Sequence, residues 1–290
     1  MLAENKSPRT IETYLTSLDR FSAWLPNGGA TTATEVTTTD VRNWITSMQS
    51  DGLSPATVSV RYRALRQFFK WADLEGEIDP DPMAAMRPPT VPPKPVPVLS
   101  DSDVSKLLAT CEGRGKTSFI DRRDAAVLRL LLDTGIRRAE LEGLRVADVD
   151  LSERTITVTG KGRRTRTIRF GLKTAQAMDR YVRARASKAH SEANSALWLS
   201  DRGGSTWTKS GVRMMLRRRS AQAGLEKVPH PHQFRHTFAD DYLRSGGLEG
   251  DLMRVAGWQS RQMVDRYGAS VAESRARDSR DRLELKGDRL

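Results

Sequence analysis

With 290 residues, 38% of them hydrophobic, the chain can bury a substantial core and has the length of two domains. Its 48 Lys and Arg against 36 Asp and Glu leave a net charge of +12, which implies a polyanionic partner, nucleic acid first and an anionic membrane surface second. No apolar run approaches the roughly 20 residues that span a bilayer, the polar stretch from Met1 to Asp19 is unlike a signal peptide, and the single Cys111 excludes an internal disulfide or a cysteine-based metal site, so a cytoplasmic protein is expected.

Residues 1–87 read as a helical domain. Thr10 to Leu25 carries Ile11, Tyr14, Leu15, Leu18, Phe21, Trp24 and Leu25 at helical spacing and ends at Pro26-Asn27-Gly28-Gly29. Thr39 or Asp40 caps a second helix whose apolar residues are Val41, Trp44, Ile45 and Met48, stopping near Gly52. Ser54-Pro55 opens a third, a capping residue followed by proline at the first helical position, with Val58, Tyr62, Leu65, Phe68, Phe69 and Ala72 on its apolar face. Arg61, Arg63, Arg66 and Lys70 fall on other faces, either as a solvated surface or as contacts to a nucleic-acid backbone. A short helix is expected over Pro82 to Met86.

The stretch from Arg87 to Pro97 holds Pro88, Pro89, Pro92, Pro93, Pro95 and Pro97. Prolines at that density remove backbone donors and fix φ, so residues 88–97 form an extended spacer and a domain boundary. Beyond it, residues 98–290 are again mostly helical. Helices are expected from Leu99-Ser100-Asp101 to Leu108, over the apolar run Asp124 to Asp133, over Arg138 to Leu144, over Leu172 to Lys188 and over Ser210 to Ala223, with three more reaching Tyr267. Residues 154–170 break this pattern. Thr155 to Thr159 and Thr165 to Phe170 are alternating, β-branched strands around Gly160-Lys161-Gly162, a hairpin. Leu197-Trp198-Leu199 reads as a short third strand, and a charged tail over 272–285 reads as an exposed helix. The fold class is therefore mainly α (α+β): one helical domain, then a mixed domain of helices with a small antiparallel three-stranded sheet.

One segment stands out: His230-Pro231-His232-Gln233-Phe234-Arg235-His236. If helical after Pro231, it sets His232 and Arg235 about a turn apart, and converging cationic donors are what a phosphate in transition needs. The segment could equally be a solvated capping cluster. His232 and His236 at i, i+4 have zinc-ligand spacing, but Gln233 occupies the place of a metalloprotease glutamate. Other residues taken singly are bland: Arg137 after a buried helix is a salt-bridge candidate for Glu140, Lys161 a turn lysine, Trp258 a core residue and Tyr267 a helix-end aromatic.

Together and in this order, these elements resemble the tyrosine recombinase, or phage integrase, family over nearly the whole chain. The N-terminal half resembles the family's SAM-like core-binding domain, carried by Thr10 to Tyr14, Gly52 to Thr57 and Arg63 to Trp71. The resemblance implies that Arg137 is the first catalytic arginine with Glu140 three residues on, Lys161 the hairpin lysine, His232 and Arg235 the His-x-x-Arg pair, and Tyr267 the nucleophile. Trp258 stands where most members have histidine after glycine. The implied reaction cleaves double-stranded DNA through a 3′-phosphotyrosyl enzyme and rejoins it without ATP, metal or other cofactor. Two guanidinium forks suit the two non-bridging phosphate oxygens. A tyrosine of ordinary pKa near 10 is only about one part in a thousand phenolate at pH 7, so neighbouring cations and a base such as His232 are needed to activate it. Lys161 would protonate the leaving oxygen and Trp258 would position the phosphate. The tail resembles the segment that docks on a neighbouring subunit, which implies a homotetramer on two DNA sites. Among the subclasses, a compact temperate-phage integrase without an N-terminal arm-binding domain is placed first. A chromosomal or transposon recombinase, or an inactive DNA-binding relative, stays open, and nothing in the sequence assigns a directionality factor.

Overall fold

A computed structural model describes residues 7–25, 32–92, 97–112, 117–160, 164–188, 195–201, 205–208 and 210–268, with positions 276–277, 280–281 and 287 beyond. The chain divides into two compact units, Met1–Lys94 and Pro95–Leu290, and the division falls inside the run of prolines.

The first unit is helical. Helix α1 spans Pro8–Trp24, α2 spans Thr38–Ser50 and α3 spans Pro55–Leu74. Local chemistry sets their starts: the Ser7 side chain caps α1, Thr37 and Asp40 form a reciprocal box at α2, and Ser54 accepts from Thr57 N–H ahead of Pro55 in α3. Phe21, Trp44, Met48, Val58, Tyr62, Leu65 and Phe69 fill the core between them. The helix expected over Pro82 to Met86 is instead a pair of turns. Asp81 Oδ1 accepts from Met83 N–H at 2.7 Å, while Tyr62 Oη and Arg66 Nη1 donate to Met86 O, both at 2.8 Å. Side chains thus satisfy backbone groups at both ends of the segment, around two successive turns. Arg66 is consumed in this way, whereas Arg63 and Lys70 are exposed.

The second unit carries α4 (Asp101–Ala109), α5 (Phe119–Thr134), α6 (Arg138–Glu142), strands β1 (Val149–Asp150), β2 (Thr155–Thr159) and β3 (Thr165–Arg169), then α7 (Leu172–Ala186), α8 (Gly211–Ala223), α9 (Pro231–Arg244), α10 (Glu249–Ala256) and α11 (Arg261–Gly268). Among the described residues this is a mostly helical fold with one antiparallel three-stranded sheet in the order β1-β2-β3. The third strand is not the expected Leu197-Trp198-Leu199 but Val149–Asp150, which pairs with Ile156 and Thr155. Residues near 197 make only isolated bridges, Arg145 with Ala196 and Leu199 with Thr206. Their apolar character reflects burial: Trp198 donates to Leu141 O at 2.8 Å and stacks on Tyr181.

Helix α5 is the axis of this unit, packed between α7 and α9. It starts a turn earlier than hydropathy implies, at a box formed by Ser118 and Asp121, and it closes on Gly135 in the left-handed region with φ 55°. A Cβ at Gly135 would sit 2.3 Å from the Phe238 ring, so the glycine lets the end of α5 lie against α9. A smaller apolar cluster of Phe238, Leu243, Leu252, Ala256, Trp258 and Val264 holds α9, α10 and α11 together. Most of the tail expected to be helical over 272–285 lies outside the described residues. None of the helices among those residues is long and apolar enough to cross a membrane.

Candidate active site

Helix α10 organises the site through its C-terminus. The last carbonyls of any helix lack intrahelical donors and sit at the negative end of its dipole. Gly257 turns the chain at φ 64°, leaving the carbonyls of Val255, Ala256 and Gly257 to be met from outside. Three arginines meet them: Arg166 Nε donates to Val255 O at 2.9 Å, Arg235 Nη2 to Ala256 O at 2.5 Å, and Arg137 Nη2 to Gly257 O at 3.0 Å. These side chains come from β3, α9 and the turn after α5. Their convergence on consecutive carbonyls is a product of the tertiary fold.

Arg235 is buried, 2% exposed, on the inner face of α9 beside Phe234 and Phe238. Its Nη1 donates to Gly135 O at 2.7 Å, and its guanidinium carbon lies 5.2 Å from the centre of the Trp258 ring. Trp258 is thus a packing surface under an arginine fork, a geometry in which ring and cation attract. Arg137 caps the start of α6. Its N–H and Nη1 donate to the two oxygens of Glu140, each at 2.9 Å, and its side chain remains 38% exposed. His232 stands exposed in the first turn of α9, where Pro231 begins the helix and Gln233 reaches back to His230 N–H at 2.8 Å. Its neighbour in the zinc-like pair, His236, is buried.

Tyr267 lies in α11 one turn beyond the buried Val264; its side chain falls outside the described set, as does Lys161 entirely. The structure therefore brings Arg137, Arg235 and Trp258 together and sets His232 on the helix that carries Arg235.

Sequence reasoning missed Arg166. Its Nη1 and Nη2 donate to the two oxygens of Glu140 at 2.9 and 2.8 Å, a two-pronged ion pair. A signal was present, because β3 alternates and Arg166 occupies the same inward register as Ile168, which is 1% exposed. A charged residue at an inward strand position requires a buried partner. Glu140 is that partner. Burial alone would raise its carboxyl, but the hydrogen bonds and charge of Arg166 and the N–H of Arg137 outweigh this and hold it down at about 2. It stays ionised throughout the physiological range.

The arginines of α8 also sort by partner. Arg219 is buried on Asp121 and Asp124, and Arg218 pairs with Asp124, while Arg213 and Arg217 are exposed.

Both units of the chain are similar to known proteins. The model of the phage integrase family matches residues 97–274, and that of the phage integrase N-terminal SAM-like domain matches residues 1–76. A tyrosine recombinase XerC of Oceanobacillus iheyensis is 33% identical over 270 residues, covering 92% of this chain and 87% of that protein. A tyrosine recombinase XerD of Corynebacterium glutamicum is 30% identical over 274 residues, covering 92% and 90%. Among solved structures, the Tn1549 transposon integrase in complex with circular intermediate DNA superposes with a TM-score of 0.73 at 23% identity, over 96% of this chain and 95% of that one. The chain belongs to the phage integrase family and is a site-specific tyrosine recombinase.

Proposed function

We propose that this recombinase cuts and rejoins double-stranded DNA at a single backbone phosphate held by Arg137 and Arg235. The observation that carries this is the pairing of those two side chains with adjacent carbonyls, Gly257 and Ala256, which fixes two permanent forks side by side. A phosphodiester passing through a pentacovalent state gains negative charge, and preorganised cations stabilise it more than the ground state. Tyr267 attacks phosphorus and forms a 3′-phosphotyrosyl bond, His232 takes the phenol proton, and Lys161 protonates the departing 5′ oxygen. Trp258 supports the Arg235 fork from beneath. The bond energy is kept in the covalent link, so a second DNA end attacks it without ATP.

Residues 1–87 serve as the core-binding domain, 88–97 as the linker and 98–290 as the catalytic domain. The exposed Arg213 and Arg217 are the α8 candidates for phosphate contact. The DNA-bound transposon integrase of the same fold supports DNA as partner. The working state is a homotetramer on two sites, in the bacterial cytoplasm at the nucleoid. The XerC and XerD relatives favour the chromosomal-type recombinase over the temperate-phage integrase that the sequence reading put first.

The test uses a duplex enriched from a randomised pool by the full chain, then nicked near the cleavage point so that the cut end diffuses away. Wild type accumulates a denaturant-resistant DNA adduct, and Tyr267→Phe forms none; an adduct at the wild-type level in that variant removes the nucleophile assignment. Binding to the same duplex should weaken with salt by about 0.9 log units per log salt for each phosphate neutralised. Affinity that ignores salt contradicts a phosphate-based interface.

A further inference from the structure

We propose that Arg166 is a positioning residue that neutralises Glu140, so that the charge of Arg137 is kept for the phosphate. The inference rests on the assignment of Arg137 as a phosphate ligand.

Glu140 sits in a conflicting position. It orders Arg137 through the backbone N–H and through Nη1, alongside the bond of Nη2 to Gly257 O. Yet a lone carboxylate against Arg137 would cancel the charge the phosphate needs and would repel the phosphate itself. Arg166 resolves the conflict by geometry. It grips both oxygens of Glu140 while Arg137 reaches one of them with its side chain. The carboxylate's charge is thereby matched by a second, less exposed cation: the Arg166 side chain is 15% exposed against 38% for Arg137.

Arg166 does not itself take substrate. Its Nε is occupied by Val255 O and both terminal nitrogens by Glu140. Its guanidinium also lies against Gly257, where an added Cβ would stand 3.1 Å from Arg166 Cζ. One side chain on β3 therefore fixes the acceptor of Arg137 on each side: Glu140 directly, and the Gly257 turn by contact and through the neighbouring carbonyl. Lysine offers the charge but only a point donor, so it would balance Glu140 while gripping it less well.

The experiment measures single-turnover adduct formation on the nicked duplex, with affinity for that duplex and a thermal melt followed in parallel, using the full chain. Arg166→Met should slow adduct formation about a hundredfold, the scale of losing a preorganised charge, with affinity nearly unchanged. Adding Glu140→Gln should restore about tenfold or more of that loss, because the uncompensated carboxylate is gone. A residue that only holds the fold together would show both the loss and the rescue in the thermal melt, with the cleavage rate per folded molecule unchanged. Arg166→Lys should cleave faster than Arg166→Met. Arg166→Met cleaving within about threefold of wild type overturns the proposal, as does a folded double variant no faster than the single one. If Arg166→Met does not fold, Arg166→Lys decides: a rate as low as that of Arg137→Ala overturns the proposal, and a clearly higher one supports it. Arg137→Ala that cleaves normally, or a wild type that forms no adduct, removes the parent assignment and this inference together. Normal behaviour of the Arg166 variants alone removes only the inference.

Discussion

Two clusters of three arginines lie in the same unit, and they are built to opposite ends. In one, Arg123, Arg218 and Arg219 surround Asp124, with Asp121 taking a further bond from Arg219 at 2.8 Å. Asp124 is fully buried, and the remaining donors go to Thr110 O and Leu199 O at 2.7 and 3.0 Å. In the other, Arg137 and Arg166 share one carboxylate, Glu140, and Arg137, Arg166 and Arg235 all donate to carbonyls, those of Gly135 and residues 255–257. Carbonyls orient a guanidinium without cancelling its charge. The first cluster therefore clamps α4, α5 and α8 with three cations against two acids. The second turns donors of all three arginines onto uncharged carbonyls, the arrangement on which the proposed phosphate site relies. The number of arginines does not separate the two; the chemistry of their acceptors does.

The largest expected effect tests the first cluster. Asp124→Asn leaves Arg123 and Arg219, 4% and 2% exposed, without their main counter-charge. Breaking a buried pair in this way costs about 3–5 kcal/mol, to be read from denaturant unfolding, while adduct formation per folded molecule holds. A loss under about 1 kcal/mol would mean the cluster is not a clamp. Next comes the site. Arg137→Ala should slow adduct formation by a factor of about 10²–10³ and lower unfolding stability by about 1 kcal/mol or less. The reverse pattern, a large stability loss with normal cleavage, would erase the distinction between the clusters. The smallest effect concerns acid. Because the folded state holds Glu140 at about 2, below its ordinary 4.5, its contribution to stability is complete above that ordinary value and is lost as pH falls toward 2. Glu140→Gln should therefore flatten the acid limb of the stability profile, measured as the unfolding midpoint at stepped pH; an unchanged limb would mean the carboxylate is not held by its arginines.

Much of the fold was legible along the chain because its causes are local. The Ser54-Pro55 start of α3 and the paired strands within 155–169 follow from capping and alternation. Where distant groups intervene, the reading slipped. The apolar run places the start of the helix at Asp124, whereas α5 begins at Phe119, and Arg123 in the added stretch is only 4% exposed because Asp124 neutralises it. The apolar 197–199 segment looked like a strand, although its burial is on Tyr181 and Leu141 rather than in a ladder. At the site, the resemblance to the family named Arg137, Lys161, His232, Arg235, Trp258 and Tyr267, while Arg166 was passed over as one basic residue among several on the hairpin.

The sequence by itself determined where most of the helices lie, that the chain divides within the prolines, and which residues match the family's motifs, since each is written in side chains within a few positions of one another. Only the tertiary structure decided which distant acceptors each arginine meets. Those pairings join Arg137 to Gly257 across 120 positions, Arg235 to Gly135 across 100 and Arg166 to Glu140 across 26. A guanidinium's effective charge depends on the acceptor it meets in space, and no local pattern specifies that acceptor.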